Sequence, residues 1–272
     1  MTVPIPFLRL LNTGTTLGIL TLNALAVKGL LYGTTPARIS SAFPTLITPA
    51  GFTFSIWSVI FVLLIAFTIA QFIPSISVLH RRALIRAVGG WYFAVFACMV
   101  FWTLVWHQYQ VGLALFFIAG LLLSLAVLFA RLWQVRKQLA QTYLYGVSYV
   151  AFSLFLGWAS VAFTLNVSVW LVSIEWDQWS VTSGSWAAGA LTLLFLVTYL
   201  FVEHHKALAF AAAVLWALLG IYVQQNLLGH KSIVVQGVCV VAATLLLVRV
   251  GLVVFHLLRS TKEHSNDTNT SY

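Results

Sequence analysis

Charge is scarce in this chain. Of 272 residues, 5 are Asp or Glu and 14 are Lys or Arg, so 7% are charged, where a soluble domain carries about 25%. With so few acids, none of them well inside an apolar run, the sequence offers neither a paired-carboxylate catalyst nor a carboxylate proton relay. Cysteine is equally sparse: Cys98 and Cys239 each sit in an apolar run, which excludes a disulfide framework and a Cys-based zinc site. No zinc spacing, nucleotide loop or nucleophile elbow is present. What is abundant is apolar surface, with 61% hydrophobic and 15% aromatic residues and a mean hydropathy of +1.00. Such runs have to face lipid, so the formal charge of +9 reads as a topology signal and nucleic acid is not an expected partner.

A membrane-crossing helix needs about 20 mostly apolar residues. Eight stretches qualify, near residues 11–31, 51–72, 91–107, 111–130, 143–172, 185–202, 207–223 and 232–258. The first is interrupted by Asn12, Thr13, Thr15, Thr16, Asn23 and Lys28. It reads as a span and not as a cleaved signal peptide, because its apolar core, residues 17–22, is shorter than the usual run of about 7–15 residues. With eight spans both termini share one side. That side carries ten basic residues (Arg9, Arg81, Arg82, Arg86, Arg131, Arg136, Lys137, Lys206, Arg259, Lys262) against three on the other (Lys28, Arg38, Lys231). The bias predicts cytoplasmic termini. On the opposite side lie a long first loop containing Pro36, Pro44 and Pro49, and the segment from Glu175 to Trp179, suited to an aromatic interfacial belt. The expected class is an all-α membrane protein, divided into residues 1–173, 174–258 and a disordered cytoplasmic tail at 259–272.

Aromatic residues recur at helical spacing. Phe54, Trp57 and Phe61 fall at i, i+3, i+7, Trp102 and Trp106 at i, i+4, and Trp158, Ala162, Leu165 and Asn166 at i, i+4, i+7, i+8, so each set shares a face. Any one stripe alone is ordinary packing; three in one bundle, with small Ala162 and polar Asn166 among them, are what the walls of a pocket for a flat apolar ligand need. Pro49 and Gly51 alone describe a helix start, and Asn166 alone describes a hydrogen bond between helices.

The runs Pro49-Ala50-Gly51-Phe52-Thr53-Phe54-Ser55-Ile56-Trp57 and Trp158-Ala159-Ser160-Val161-Ala162-Phe163-Thr164-Leu165-Asn166 together resemble the TspO/MBR family, the tryptophan-rich sensory proteins that include the peripheral benzodiazepine receptor. Trp102 to Trp106 is similar to a third family segment, and the resemblance covers about residues 11–172. It implies a five-helix bundle over residues 1–173, to which a three-helix extension is added. It also implies a porphyrin, haem or sterol-like ligand held beneath the first loop by Pro49, Gly51, Phe54, Trp57, Phe61, Trp102, Trp106, Trp158, Ala162 and Asn166, for sensing, sequestration or transport. A homodimer is implied in the same way. No cofactor is required and no metal ligand set is expected. Trp57 follows Phe54 by three residues where short members usually have four, and Met99 stands where they have Asn.

Arg249 is the one strong charge well inside an apolar run. Intramembrane cations pair, face a bundle interior or snorkel; Glu203, at the end of span six, is the acid at that membrane edge and the candidate partner. Two other functions stay open at this level. In an eight-helix transporter Arg249 would be the substrate counter-charge, although neither broken helices nor repeated halves are legible. In a membrane enzyme acting on a lipid or pigment, Asn166, His107 and Arg249 would have to point into one cavity; no general acid, base or metal site argues for catalysis.

Overall fold

The computed structural model describes residues 3–73, 77–140, 142–176, 181–227 and 231–269, without the side chains of 36, 37, 41 and 260–269. Ten α-helices and no strand occur among them: α1 (Ile5–Val27), α2 (Pro36–Ala42), α3 (Ile56–Ala70), α4 (Val78–Val88), α5 (Trp91–His107), α6 (Val111–Leu139), α7 (Tyr143–Ser173), α8 (Ser183–His205), α9 (Leu208–Leu227) and α10 (Ile233–Asn269). Eight helical segments are long and apolar enough to cross a membrane, α4 and α5 counting as one. The protein is therefore an integral, multi-pass, all-α membrane protein.

Helix α7 is the axis of the bundle. Of its most apolar window 67% is buried, against 22–50% in the other seven segments, and α3, α6, α8 and α9 all pack on it. Thr142 caps its start by accepting the N–H of Tyr145 at 3.2 Å, and Thr182 does the same for Ser185 in α8 at 3.3 Å, satisfying donors that a helix start leaves free.

The boundaries depart from the sequence expectation in instructive ways. Helix α1 begins at Ile5 and ends at Val27, because its polar residues face the bundle instead of marking an end. Asn12 Nδ2 donates to Gln71 Oε1 at 2.9 Å, and Thr16 Oγ1 lies 2.7 Å from Thr68 Oγ1 and 2.9 Å from the Tyr92 hydroxyl. In lipid a polar group has to find a protein partner, so these residues tie α1 to α3 and α5. The basic stretch between spans two and three, expected as loop, is largely the amphipathic helix α4, with Leu84, Ile85, Ala87 and Val88 buried. Its end is capped by Arg131, whose Nε donates to Ala87 O at 2.7 Å and Nη2 to Arg86 O at 2.9 Å. Where a disordered tail was expected from residue 259, the backbone of α10 stays helical to Asn269, as an established helix adds residues at little cost; residues 270–272 lie outside the described residues. So do Asp177, Gln178 and Trp179 of the interfacial segment, while Trp176 packs edge-on against Trp186 with ring centroids 4.6 Å apart.

The expected division at residue 173 does not separate two cores. One buried cluster takes Ile19, Leu64, Val95, Leu125 and Phe155 from the first five spans and Leu191, Ala213, Val214, Val235 and Leu246 from the last three.

Candidate functional site

Helices α3, α5, α6 and α7 enclose a small cavity lined by Trp57, Met99, Trp102, Ile118, Leu121, Phe155, Trp158, Ala159 and Ala162. Four of these were expected from the sequence. Trp57 meets the Trp158 ring edge-on at 6.4 Å and Phe155 at 5.6 Å. Phe61 and Phe54 stand behind the wall: Phe61 stacks on Trp57 at 5.6 Å, and Phe54 packs edge-on to Trp158 at 6.1 Å. Both arrangements are favourable for aromatic pairs. Trp106 stacks on Trp102 at 5.7 Å with planes 21° apart.

Asn166 fixes the polar end of this wall. It is buried, its Oδ1 accepts Trp102 Nε1–H at 3.1 Å, and its Nδ2 donates to Ala162 O at 2.8 Å. Asn166 therefore both joins α5 to α7 and orients one cavity tryptophan. The free space is about 20 Å³, room for about one water. A tetrapyrrole or sterol enters only if these rings move apart; Trp57 and Trp102 are half-buried, while Phe155 and Trp158 are buried.

Pro49 and Gly51 do not line the cavity. They flank Ala50, whose N–H donates to Gly220 O of α9 at 3.0 Å, and residues Gly51–Ser55 form a 3-10 turn leading into α3. The last spans hold this turn at further points. Trp216 Nε1 donates to Thr53 O at 2.8 Å and its ring meets Phe52 edge-on at 5.4 Å. Gln225 Nε2 donates to Leu46 O at 2.6 Å while its Oε1 accepts Ser232 N–H at 2.9 Å. Helix α9 is thus a clamp on the segment that delivers Phe54 and Trp57.

Sequence reasoning missed Met99, Ile118, Leu121, Phe155 and Ala159 in the cavity, and Trp216, Gly220 and Gln225 in the clamp. Phe155 carried a signal, since it precedes Trp158 and Ala162 by three and seven residues on the same stripe. Trp216 and Gly220 also share a helix face, but nothing in the sequence says which loop that face meets.

The remaining candidates lie apart. Arg249 forms an ion pair with Glu203, joining α10 to α8. His107 is buried, with Nδ1 2.7 Å from Thr103 O. Among the described residues, Arg249 lines a cavity that neither Asn166 nor His107 lines, and none of the three lines the aromatic one. The ion pair predicts a stability effect. Arg249→Gln leaves Glu203 without its partner, and since both groups are partly exposed the cost is about 1–2 kcal/mol, well below that of a fully buried pair. Thermal unfolding in detergent is expected to shift down by roughly 2–8 °C. Adding Glu203→Gln is expected to restore most of the loss; an equally unstable double variant would show that the pair is not the cause.

A family described as TSPO-like protein matches residues 9–252. No curated protein matches the chain, and neither does any solved structure. The match extends the resemblance, expected over residues 11–172, into the last three spans. By a match over nearly its whole length, the chain belongs to the TSPO-like family.

Proposed function

We propose that the protein binds a flat hydrophobic ligand of the porphyrin or sterol-like class in the aromatic cavity between α3, α5, α6 and α7, with its basic face and both termini toward the cytoplasm. The observation that carries this reading is the convergence of Trp57, Trp102 and Trp158, from three helices, on one cavity, with Ala162 leaving space and Asn166 orienting an indole. Aromatic walls with a few fixed polar groups recognise flat apolar molecules. Sensing, sequestration and transport all use such a site. Arg249 lies at a different cavity from the tryptophans, so a transport path with Arg249 as counter-charge gains no support. The enzyme reading gains no support either, because Arg249 lines a cavity that neither Asn166 nor His107 lines.

The test is tryptophan fluorescence quenching of the purified protein by protoporphyrin IX, with inner-filter controls. Saturable quenching is expected in the wild type, with affinity reduced about tenfold in Trp57→Leu and Trp158→Leu, since each loses aromatic contacts and stacking area. Arg249→Gln is expected to bind as the wild type does. Absence of saturable quenching, or its loss in Arg249→Gln alone, would overturn the reading.

A further inference from the structure

A second cavity, of about 460 Å³, lies away from the aromatic one and is lined by Lys206, Arg249, Val253, His256 and Leu257. We propose that it binds the phosphate of an anionic phospholipid. On α10, Arg249, Val253, His256 and Leu257 fall at i, i+4, i+7, i+8 and form one stripe. The facing wall is the two-residue turn between α8 and α9, where Lys206 takes a left-handed conformation (φ 54, ψ 36) and its ammonium donates to Glu203 O at 2.9 Å.

The donors of this groove are not used up. Arg249 gives Nη2 to the Glu203 carboxylate, but its Nε–H is buried without a partner, and a guanidinium has five N–H donors. Lys206 likewise gives one of its three ammonium N–H groups to Glu203 O, so both cations lining the cavity keep donors for a phosphate oxygen arriving in the groove. Glu203 offsets the charge of Arg249, and Lys206 leaves the groove net positive. The surroundings select a lipid over a free anion. Val253 packs with Val202 and Ala211 beside the groove, and α10 continues past the turn with Leu252, Phe255 and Leu258 exposed. In a membrane protein lipid covers that surface, and basic groups at such a boundary attract anionic headgroups.

The experiment measures lipid retention by native mass spectrometry, and thermal stabilisation in detergent, for the full chain with phosphatidylglycerol, with phosphatidylcholine of the same acyl chains, and with inorganic phosphate alone. Phosphatidylglycerol is expected to bind at least fivefold more tightly than phosphatidylcholine, the effect of about one basic group at an anionic surface. Lys206→Asn removes the charge, keeps a residue that tolerates the left-handed backbone, and is expected to reduce that preference about fivefold, with lipid-free stability lowered only by the loss of one exposed hydrogen bond to Glu203 O. The Arg249→Gln/Glu203→Gln variant, which leaves no orphaned carboxylate and keeps the Lys206 charge, is expected to weaken retention of both lipids, since both carry the phosphate, while phosphatidylglycerol stays the tighter of the two. Equal binding of the two lipids, or a preference undiminished in Lys206→Asn, would overturn the proposal. Equal stabilisation by inorganic phosphate alone would overturn its lipid source.

Discussion

Gly157→Ala is expected to be among the most destabilising single substitutions in the bundle, costing about 3 kcal/mol, at the upper end of the usual overpacking range. A Cβ at Gly157 would lie 2.6 Å from Phe210 O, 3.0 Å from Phe210 Cα and 3.1 Å from Ala213 Cβ. The first two obstacles are backbone, so no rotamer change relieves them; α9 as a whole would have to move away from α7. That contact is built from small residues, since Ala213 and Ala217 of α9 are fully buried and Gly157 lets the two helices approach closely. In lipid, where apolar contact alone gains little, close backbone packing is what holds helices together. The control lies on the same helix. A Cβ at Gly146 would meet nothing within 4 Å, so Gly146→Ala gains about 1 kcal/mol of helix propensity at no steric cost. Thermal unfolding of the two variants is expected to move in opposite directions, with Gly157→Ala lower by roughly 6–12 °C. A Gly157→Ala variant as stable as the wild type would mean that α7 and α9 are not in close contact.

The same contact separates what the sequence revealed from what it concealed. The eight spans were legible because lipid imposes one rule on every residue of a span, and hydropathy records that rule locally. Helix α4 was concealed although its buried Leu84, Ile85 and Val88 follow a helical period, because its charged face and short length resemble a loop when only spans are sought. In the cavity, Trp57, Trp102 and Trp158 were legible as stripes within single helices. Met99, Ile118 and Leu121 were not, since a lone aliphatic residue on an apolar helix carries no mark of what it faces. The role of α9 was hidden for a deeper reason. Its bonds to the first loop join residues more than 160 positions apart, Thr53 to Trp216 and Leu46 to Gln225, and no local pattern encodes such a pairing. From sequence the last three spans read as an extension of a five-helix bundle, and in the structure buried residues of α8, α9 and α10 share one cluster with that bundle.

Gly220→Ala is therefore expected to act from a distance on the segment that delivers Phe54 and Trp57. A Cβ there would stand 2.0 Å from Thr53 Oγ1, 2.9 Å from its Cγ2 and 3.0 Å from its Cβ. Rotating Thr53 cannot clear all three, and Thr53 is fully buried, so the 3-10 turn has to lift from α9. Lifting breaks the Ala50 N–H bond to Gly220 O and the Trp216 bond to Thr53 O, each worth about 1 kcal/mol, and shifts Phe54 and Trp57 directly downstream. The expected readout is faster hydrogen exchange across residues 43–55, reporting local opening of this turn, with the α6–α7 region unchanged. Trp216→Phe removes one of the two bonds without a clash and is expected to give a smaller change of the same kind. Thr53→Ala in the Gly220→Ala background removes the two closest obstructing atoms and is expected to restore most of the protection, because the remaining 3.0 Å contact to Cβ needs a displacement of only a few tenths of an ångström. Unchanged exchange over residues 43–55 in Gly220→Ala would show that α9 does not hold the turn. If the change does occur, any loss of protoporphyrin quenching in Gly220→Ala should be recovered in the same double variant, because the clamp acts on ligand binding only through the position of Phe54 and Trp57.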